Sequence, residues 1–172
     1  MNNPNNMEDL VEKLNLLKSQ KDFEAALVLL NELYEKFPNS EEVKNILIDI
    51  LFEYGGYLND YYIEGYEKAK DCFEKITKIS PNNYRAFYNL GIACFNLGNS
   101  EKAISHLQKA LEIKPDYKYS LYNLGLVYED EGKYGEALKF YEKALEIDSN
   151  FTYALTARDE MRRKLDELKQ RM

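Results

Sequence analysis

The chain repeats itself every 34 residues. Ala86-Phe87-Tyr88-Asn89-Leu90-Gly91 recurs as Ser120-Leu121-Tyr122-Asn123-Leu124-Gly125, and the same offset of 34 carries Gly98 onto Gly132 and Ala103 onto Ala137. It also carries Ala110-Leu111-Glu112-Ile113 onto Ala144-Leu145-Glu146-Ile147. One period earlier, Ala103 and Pro115 map onto Ala69 and Pro81; the next interval is 43 residues and reaches Ala26 and Pro38. A fixed period of this length marks a repeat architecture, in which no unit buries its apolar face alone and neighbours must stack into one core.

Within a period the apolar residues keep helical spacing. Phe87, Leu90, Gly91 and Cys94 fall at i, i+3, i+4 and i+7 on one helix face, and Ala103, Leu107, Ala110 and Leu111 do the same for a partner helix. Gly91 and Ala103 are small enough to let the two backbones approach closely. Gly98-Asn99 and Gly132-Lys133 supply a tight turn, where positive φ suits glycine. Pro115 cannot continue a helix and stops the second one. These features resemble the tetratricopeptide repeat, a helix-turn-helix unit with the pattern W-x2-L-G-x2-Y…A-x3-F…P. Phe87, Leu90, Gly91, Cys94, Ala103, Leu107 and Pro115 meet it once; Leu121, Leu124, Gly125, Tyr128, Ala137 and Tyr141 meet it again, with Ser149 replacing the proline. The match thins toward the start. Ala69, Phe73 and Pro81 fit a second helix whose partner offers Leu47, Ile48 and Leu51 but no glycine, and in the first unit Leu14 stands where glycine would be.

The resemblance implies an all-α fold: a right-handed α-solenoid of about four helix-turn-helix units, at 7–40, 41–83, 84–117 and 118–151. Residues 1–6 read as a flexible polar tail and 152–172 as a C-terminal capping helix with the apolar stripe Ala154, Ala157, Met161, Leu165 and Leu168. The second unit carries nine extra residues, expected as a lengthened turn around Gly55 to Tyr62. Tyr54, Tyr57, Tyr61, Tyr62 and Tyr66 crowd this stretch; packing over neighbouring units and a binding element both remain open for it.

Composition narrows the function. A net charge of -7 lacks the clustered positive charge that nucleic acid demands. No apolar run approaches a membrane span, and the start has no secretory signal, so a cytoplasmic location is expected. One histidine, His106, and two cysteines, Cys72 and Cys94, are too few for a His/Cys metal centre. The cysteines read as small buried hydrophobes and His106 as a surface or inter-repeat residue. No phosphate-loop, dinucleotide, zinc-protease or calcium-loop motif occurs, so neither cofactor nor enzymatic activity is expected.

In this family the first helices of successive units line a concave groove. Helical spacing then assigns Arg85, Tyr88, Asn89, Ile92, Phe95 and Asn96 to the groove face of the third unit. In the fourth unit it assigns Tyr119, Tyr122, Asn123 and Leu126, with Glu129 and Asp130 beside them, and in the second Asn45, Asp49 and Phe52, with Glu53. The first unit presents Lys18 among others on this face. Asn89 and Asn123 hold equivalent places, and an amide that both donates and accepts can pair with the backbone of an extended peptide. The expected role is therefore a protein-interaction module holding a peptide or protein segment; the alternative is an assembly subunit, with self-association left open. Some relatives clamp the acidic C-terminus of a heat-shock protein with Lys, Asn and Arg. Here the groove face of the third unit offers only Arg85, while the second and fourth carry the acidic Asp49, Glu53, Glu129 and Asp130, so a neutral, apolar or basic segment is expected instead.

Overall fold

The computed structural model describes residues 7–61 and 65–170. Among these residues the chain forms nine α-helices and no strand. They are α1 Met7–Ser19, α2 Phe23–Lys36, α3 Glu41–Tyr61, α4 Tyr66–Ile79, α5 Tyr84–Asn96, α6 Ser100–Ile113, α7 Lys118–Asp130, α8 Tyr134–Ile147 and α9 Thr152–Gln170. The tail expected at 1–6 lies outside the described residues. The helices fall into two compact units, Met1–Ile79 and Ser80–Met172. In each, consecutive helices pack against one another: α1 to α4 in the first, α5 to α9 in the second. Among the described residues no helix is long and apolar enough to cross a membrane.

The turns within α1–α2, α5–α6 and α7–α8 share one hydrogen-bonded geometry. The N–H groups of Asp22, Asn99 and Lys133 donate to the carbonyls of Leu17, Cys94 and Tyr128, at 3.0, 2.9 and 2.9 Å. The preceding residues Lys21, Gly98 and Gly132 donate to Lys18, Phe95 and Glu129 at 3.0, 2.8 and 2.9 Å. This satisfies the last carbonyls of the first helix and forces the middle residue to positive φ. Gly98 and Gly132 adopt φ of 74° and 73°; Lys21, in the equivalent place, adopts 58° and is the strained member of the set. Asp22 and Asn99 then cap the second helices by accepting from the N–H groups of Ala25 and Lys102, whereas Lys133 makes no side-chain cap bond.

Three of the four pairs, α3–α4, α5–α6 and α7–α8, are drawn together at a crossing where the first helix lacks a side chain, whereas α1 places buried Leu14 there. A Cβ on Gly91 would lie 2.7 Å from Leu107 Cγ, and one on Gly125 would lie 2.3 Å from the Tyr141 ring. Leu107 and Tyr141 are both fully buried. The second unit of the repeat series departs from the expected turn. Residues 55–61 belong to α3, which runs on to Tyr61, and Gly55 is the missing glycine of its crossing, where an added Cβ would lie 2.8 Å from Phe73 Cζ. The extra residues thus lengthen a helix, and Leu58 and Gly55 are buried in it. Tyr62 lies outside the described residues. Tyr54 stacks on Phe23 at 5.2 Å and Tyr57 packs on the same ring at 5.8 Å, so these two tyrosines cover α2.

The last helix packs on α8. Ala154 and Met161 are fully buried, as are Ser120 and Val127 one period earlier and Ala86 and Ala93 two periods earlier. α9 therefore presents to α8 the face that α7 presents to α6. The expected apolar stripe ends early: Leu168 is 46% exposed.

Two outcomes follow from this backbone. Gly55→Ala and Gly125→Ala are expected to destabilise, because the roughly 1 kcal/mol gained in helix propensity is outweighed by about 1–3 kcal/mol of overpacking. The neighbouring Gly56→Ala, with nothing within 4 Å of its added Cβ, is expected to stabilise by up to about 1 kcal/mol. Lys21→Gly is expected to stabilise by up to about 1 kcal/mol by releasing the strained φ. Urea unfolding midpoints compared with the parent chain check all four signs.

Candidate functional site

The residues expected to face a groove fall in two groups, one in each compact unit. In the first unit Asn45 and Asp49 are exposed on α3. Asp49 accepts a hydrogen bond from Lys18 of α1, and Glu53 pairs with the same ammonium at 2.7 Å. These two carboxylates, Asp49 first, hold the Lys18 ammonium above its ordinary pKa. Phe52 is half-buried with its ring 6.1 Å from that of Phe73, so it contributes to α3–α4 packing and not only to an open face. The Cys72 thiol, buried beside it in α4, is pushed up to about 11 by burial, which suppresses thiolate chemistry.

The second unit holds the larger surface. Tyr122, Leu126 and Glu129 of α7 face Tyr153, Thr156, Ala157 and Glu160 of α9 across a cleft of about 420 Å³. It adjoins a second hollow of about 440 Å³, where Phe95 of α5 and Leu126, Glu129 and Asp130 of α7 meet Lys164 of α9. The floor is the core itself: Tyr122, Leu126 and Ala157 pack on buried Ala137, Tyr141 and Met161. Of the expected residues, Phe95, Tyr122 and Leu126 thus converge. The α9 side of the cleft was not anticipated, although the same offset of 34 places Tyr153 after Tyr119, Thr156 after Tyr122 and Glu160 after Leu126.

One end of this surface is aromatic. Tyr117 packs edge-on against Tyr84 at 4.9 Å and Tyr88 at 5.2 Å, and lies 5.4 Å from Tyr119. Phe151 continues the series, edge-on to Tyr119 at 5.5 Å, Tyr122 at 5.4 Å and Tyr153 at 5.9 Å. Tyr119 and Tyr153 remain 42% and 69% exposed, an aromatic surface open to solvent. Tyr117 and Phe151 occupy the places where Ser40 and Asn83 cap the first helices of earlier units with side-chain oxygens. A cap of that kind is worth about 1 kcal/mol, so local helix stability is given up for ring packing.

The paired asparagines are partly committed. Asn89 donates from its amide to the Arg85 carbonyl at 2.8 Å, and Asn123 donates to the Tyr119 carbonyl at 2.9 Å. Asn123 also reaches the Tyr88 hydroxyl at 3.4 Å, linking α7 to α5. One N–H of each amide therefore serves its own helix, and Asn123 spends its second on Tyr88. Arg85 and Asn96 are exposed, and Ile92 is half-buried beside them on α5. His106 is half-buried with its ring 6.4 Å from that of Phe87, a packing position between α5 and α6.

The other end of the cleft is acidic and anchored from below. The Tyr141 hydroxyl donates to Glu129 Oε2 at 2.8 Å, and Lys164 Nζ lies 3.0 Å from Oε1 of the same carboxylate and 3.2 Å from Glu160. Burial first, and then the bond to Glu129, push the Tyr141 phenol far above its ordinary value of 10.0. Unfolded tyrosine releases its proton near that ordinary value while folded Tyr141 keeps it. Its contribution to stability is therefore full below about pH 10 and is lost as the pH rises above it. Tyr141→Phe is expected to lower stability by about 1–2 kcal/mol at neutral pH and to weaken the alkaline decline. Urea midpoints at neutral and alkaline pH, for both chains, check this.

Three family models, each described as tetratricopeptide repeat, match residues 14–40, 65–83 and 83–150. A search of curated proteins finds no significant match. Among solved structures, the Sgt2 TPR domain from Aspergillus fumigatus is 26% identical, with a TM-score of 0.65 over 72% of this chain and 82% of that chain. The first TPR of Spaghetti (RPAP3), bound to HSP90 peptide SRMEEVD, is 26% identical, with a TM-score of 0.60 over 67% of this chain and 93% of that chain. A MamA protein at 24% identity shares the fold, with a TM-score of 0.67 over 91% of this chain and 86% of that chain. The repeat spacing, the glycine crossings and these likenesses agree: the chain belongs to the tetratricopeptide-repeat family.

Proposed function

We propose that the chain is a non-catalytic protein-interaction module and that the α7–α9 cleft, extended by Phe95, holds a peptide or protein segment. The observation that carries this reading is the cleft: an apolar floor built on the core, an open aromatic end and polar groups at its rim. Concave, mostly apolar surfaces with a few oriented polar groups are the usual form of a binding site. The similarity to the RPAP3 domain, whose structure holds a peptide, supports a peptide-sized occupant. That peptide ends in acidic residues. The cleft of this chain offers Glu129, Asp130 and Glu160 against Lys164, so an acidic tail would meet like charge as it loses its water. A neutral, apolar or basic segment suits it better.

Capture from a lysate of the source cells tests the surface. Tyr153→Ala with Thr156→Glu alters two exposed residues of the cleft, while Lys139→Glu alters an exposed residue of α8 away from it. Lys139→Glu is expected to leave stability within about 0.5 kcal/mol of the parent, and the cleft variant, which loses the Tyr153 ring contacts, within about 1.5 kcal/mol. Proteins retained by the parent chain and by Lys139→Glu should be lost from the cleft variant, as read by quantitative mass spectrometry. Equal retention by all three would remove the cleft as the docking surface.

A further inference from the structure

The two ends of the α7–α9 cleft differ in chemistry, and that polarity specifies the occupant more closely. Tyr122 and Tyr153 form one end, their rings 6.1 Å apart. Glu129 and Glu160 line the other end, and Asp130 borders the adjoining hollow. Only one cation, Lys164, stands among these three carboxylates in the residues lining the two hollows. Its ammonium lies 3.0 Å from Glu129 and 3.2 Å from Glu160 and sits 5.2 Å over the Tyr134 ring. The chain therefore already seats a cation at this end, supplied by its own side chain, and an excess of carboxylate remains.

We propose that the occupant is a segment with an arginine or lysine side chain at the Glu129–Glu160 end and an aromatic or apolar side chain at the Tyr122–Tyr153 end. This rests on the reading of the cleft as a docking surface and adds the charge and spacing of what docks. Tyr122 and Glu129 are seven residues apart on one helix, a rise of about 10 Å. An extended chain advances about 3.3 Å per residue, so the two anchors fall three positions apart. Lys164 is an internal competitor for the cationic site. Arginine is the stronger match, because its planar fork pairs with two carboxylates at once.

The test uses the isotope-labelled full chain and three capped tetrapeptides, Tyr-Ala-Ala-Arg, Tyr-Ala-Ala-Ala and Tyr-Ala-Ala-Glu, with amide chemical shifts read by NMR at low salt. The arginine peptide is expected to shift the amides of Tyr122, Leu126, Ala157 and Glu160 and to bind about tenfold more tightly than the glutamate peptide. Added salt should narrow that difference. Asp130→Asn with Glu160→Gln should weaken the arginine peptide about tenfold, whereas Lys164→Met, which removes the competitor, should tighten it. Equal affinity for the arginine and glutamate peptides at these amides would overturn the charge assignment and leave the docking surface standing. Shifts from the arginine peptide that avoid these amides would overturn it too, and the capture experiment then decides the surface independently. An unchanged or weakened affinity in Lys164→Met, with its fold intact by the same spectra, also counts against it.

Discussion

Everything in this fold depends on how closely two helices can approach within a pair. Side chains normally hold helix axes 8–10 Å apart, and a glycine at the crossing removes that spacer so that a large residue from the partner can fill the gap. The fillers here are Phe73 against Gly55, Leu107 against Gly91 and Tyr141 against Gly125. All three are buried almost completely. Only Tyr141 carries a polar atom, and its hydroxyl leaves the core to meet Glu129 at 2.8 Å. The residue that closes the α7–α8 crossing thus also orients a carboxylate on the cleft. Leu107, in the equivalent place one period earlier, can make no such link.

A second trade shapes the surface. Ser40 and Asn83 begin their helices with a side-chain oxygen bonded to the backbone of the first turn. Tyr117 and Phe151 stand in the same register and forgo that bond. Their rings join neighbouring units through edge contacts, Tyr117 with Tyr84, and Phe151 with Tyr119 and Tyr122. Lys118 lies over Tyr119 and Phe151 at 5.2 and 4.9 Å while it bonds Asp148, whose carboxyl this contact lowers below the ordinary range. Local capping energy has been exchanged for contacts between units, which is where a repeat protein gains its cooperativity.

Much of the fold was legible because a period of 34 is a long-range constraint written in short-range residues. Gly98 and Gly132 announced the turns, and Pro38, Pro81 and Pro115 the ends of second helices. The segment 55–61 departs from the expected turn because paired glycines with Asn59 and Asp60 close behind suggest one, whereas one of them, Gly55, answers to a partner far along the chain, Phe73. Local propensity carries no record of such a partner. The α7 side of the cleft was legible from helical spacing. Its α9 side was not, because a stripe of Ala154, Ala157, Met161, Leu165 and Leu168 was read as a single cap face, while Ala157 also borders the opening. The commitments of Asn89 and Asn123 to their own helices were equally hidden, since a back-bond to the carbonyl four residues earlier leaves no trace in spacing.

The last helix explains why the cleft lies where it does. α9 keeps the buried positions of a first helix, Ala154 and Met161, and so docks on α8 in the register of the repeat. It changes the positions that would receive another second helix. Arg158, Asp159 and Arg162 stand where Leu124, Gly125 and Tyr128 stand one period earlier. An aspartate cannot yield the close approach that a glycine allows, and burying these charges under a further helix would cost several kcal/mol per ion. Arg162 instead reaches back to Glu142 at 2.7 Å, and Arg158 pairs with Asp159. On its remaining side α9 turns Tyr153, Ala157 and Glu160 toward α7. The same docking register that covers the α8 surface also sets the width of the opening, and Met161 in the core lies one residue from Glu160 at the rim. The face that covers α8 and the candidate binding surface are therefore two faces of one helix, held by one set of contacts.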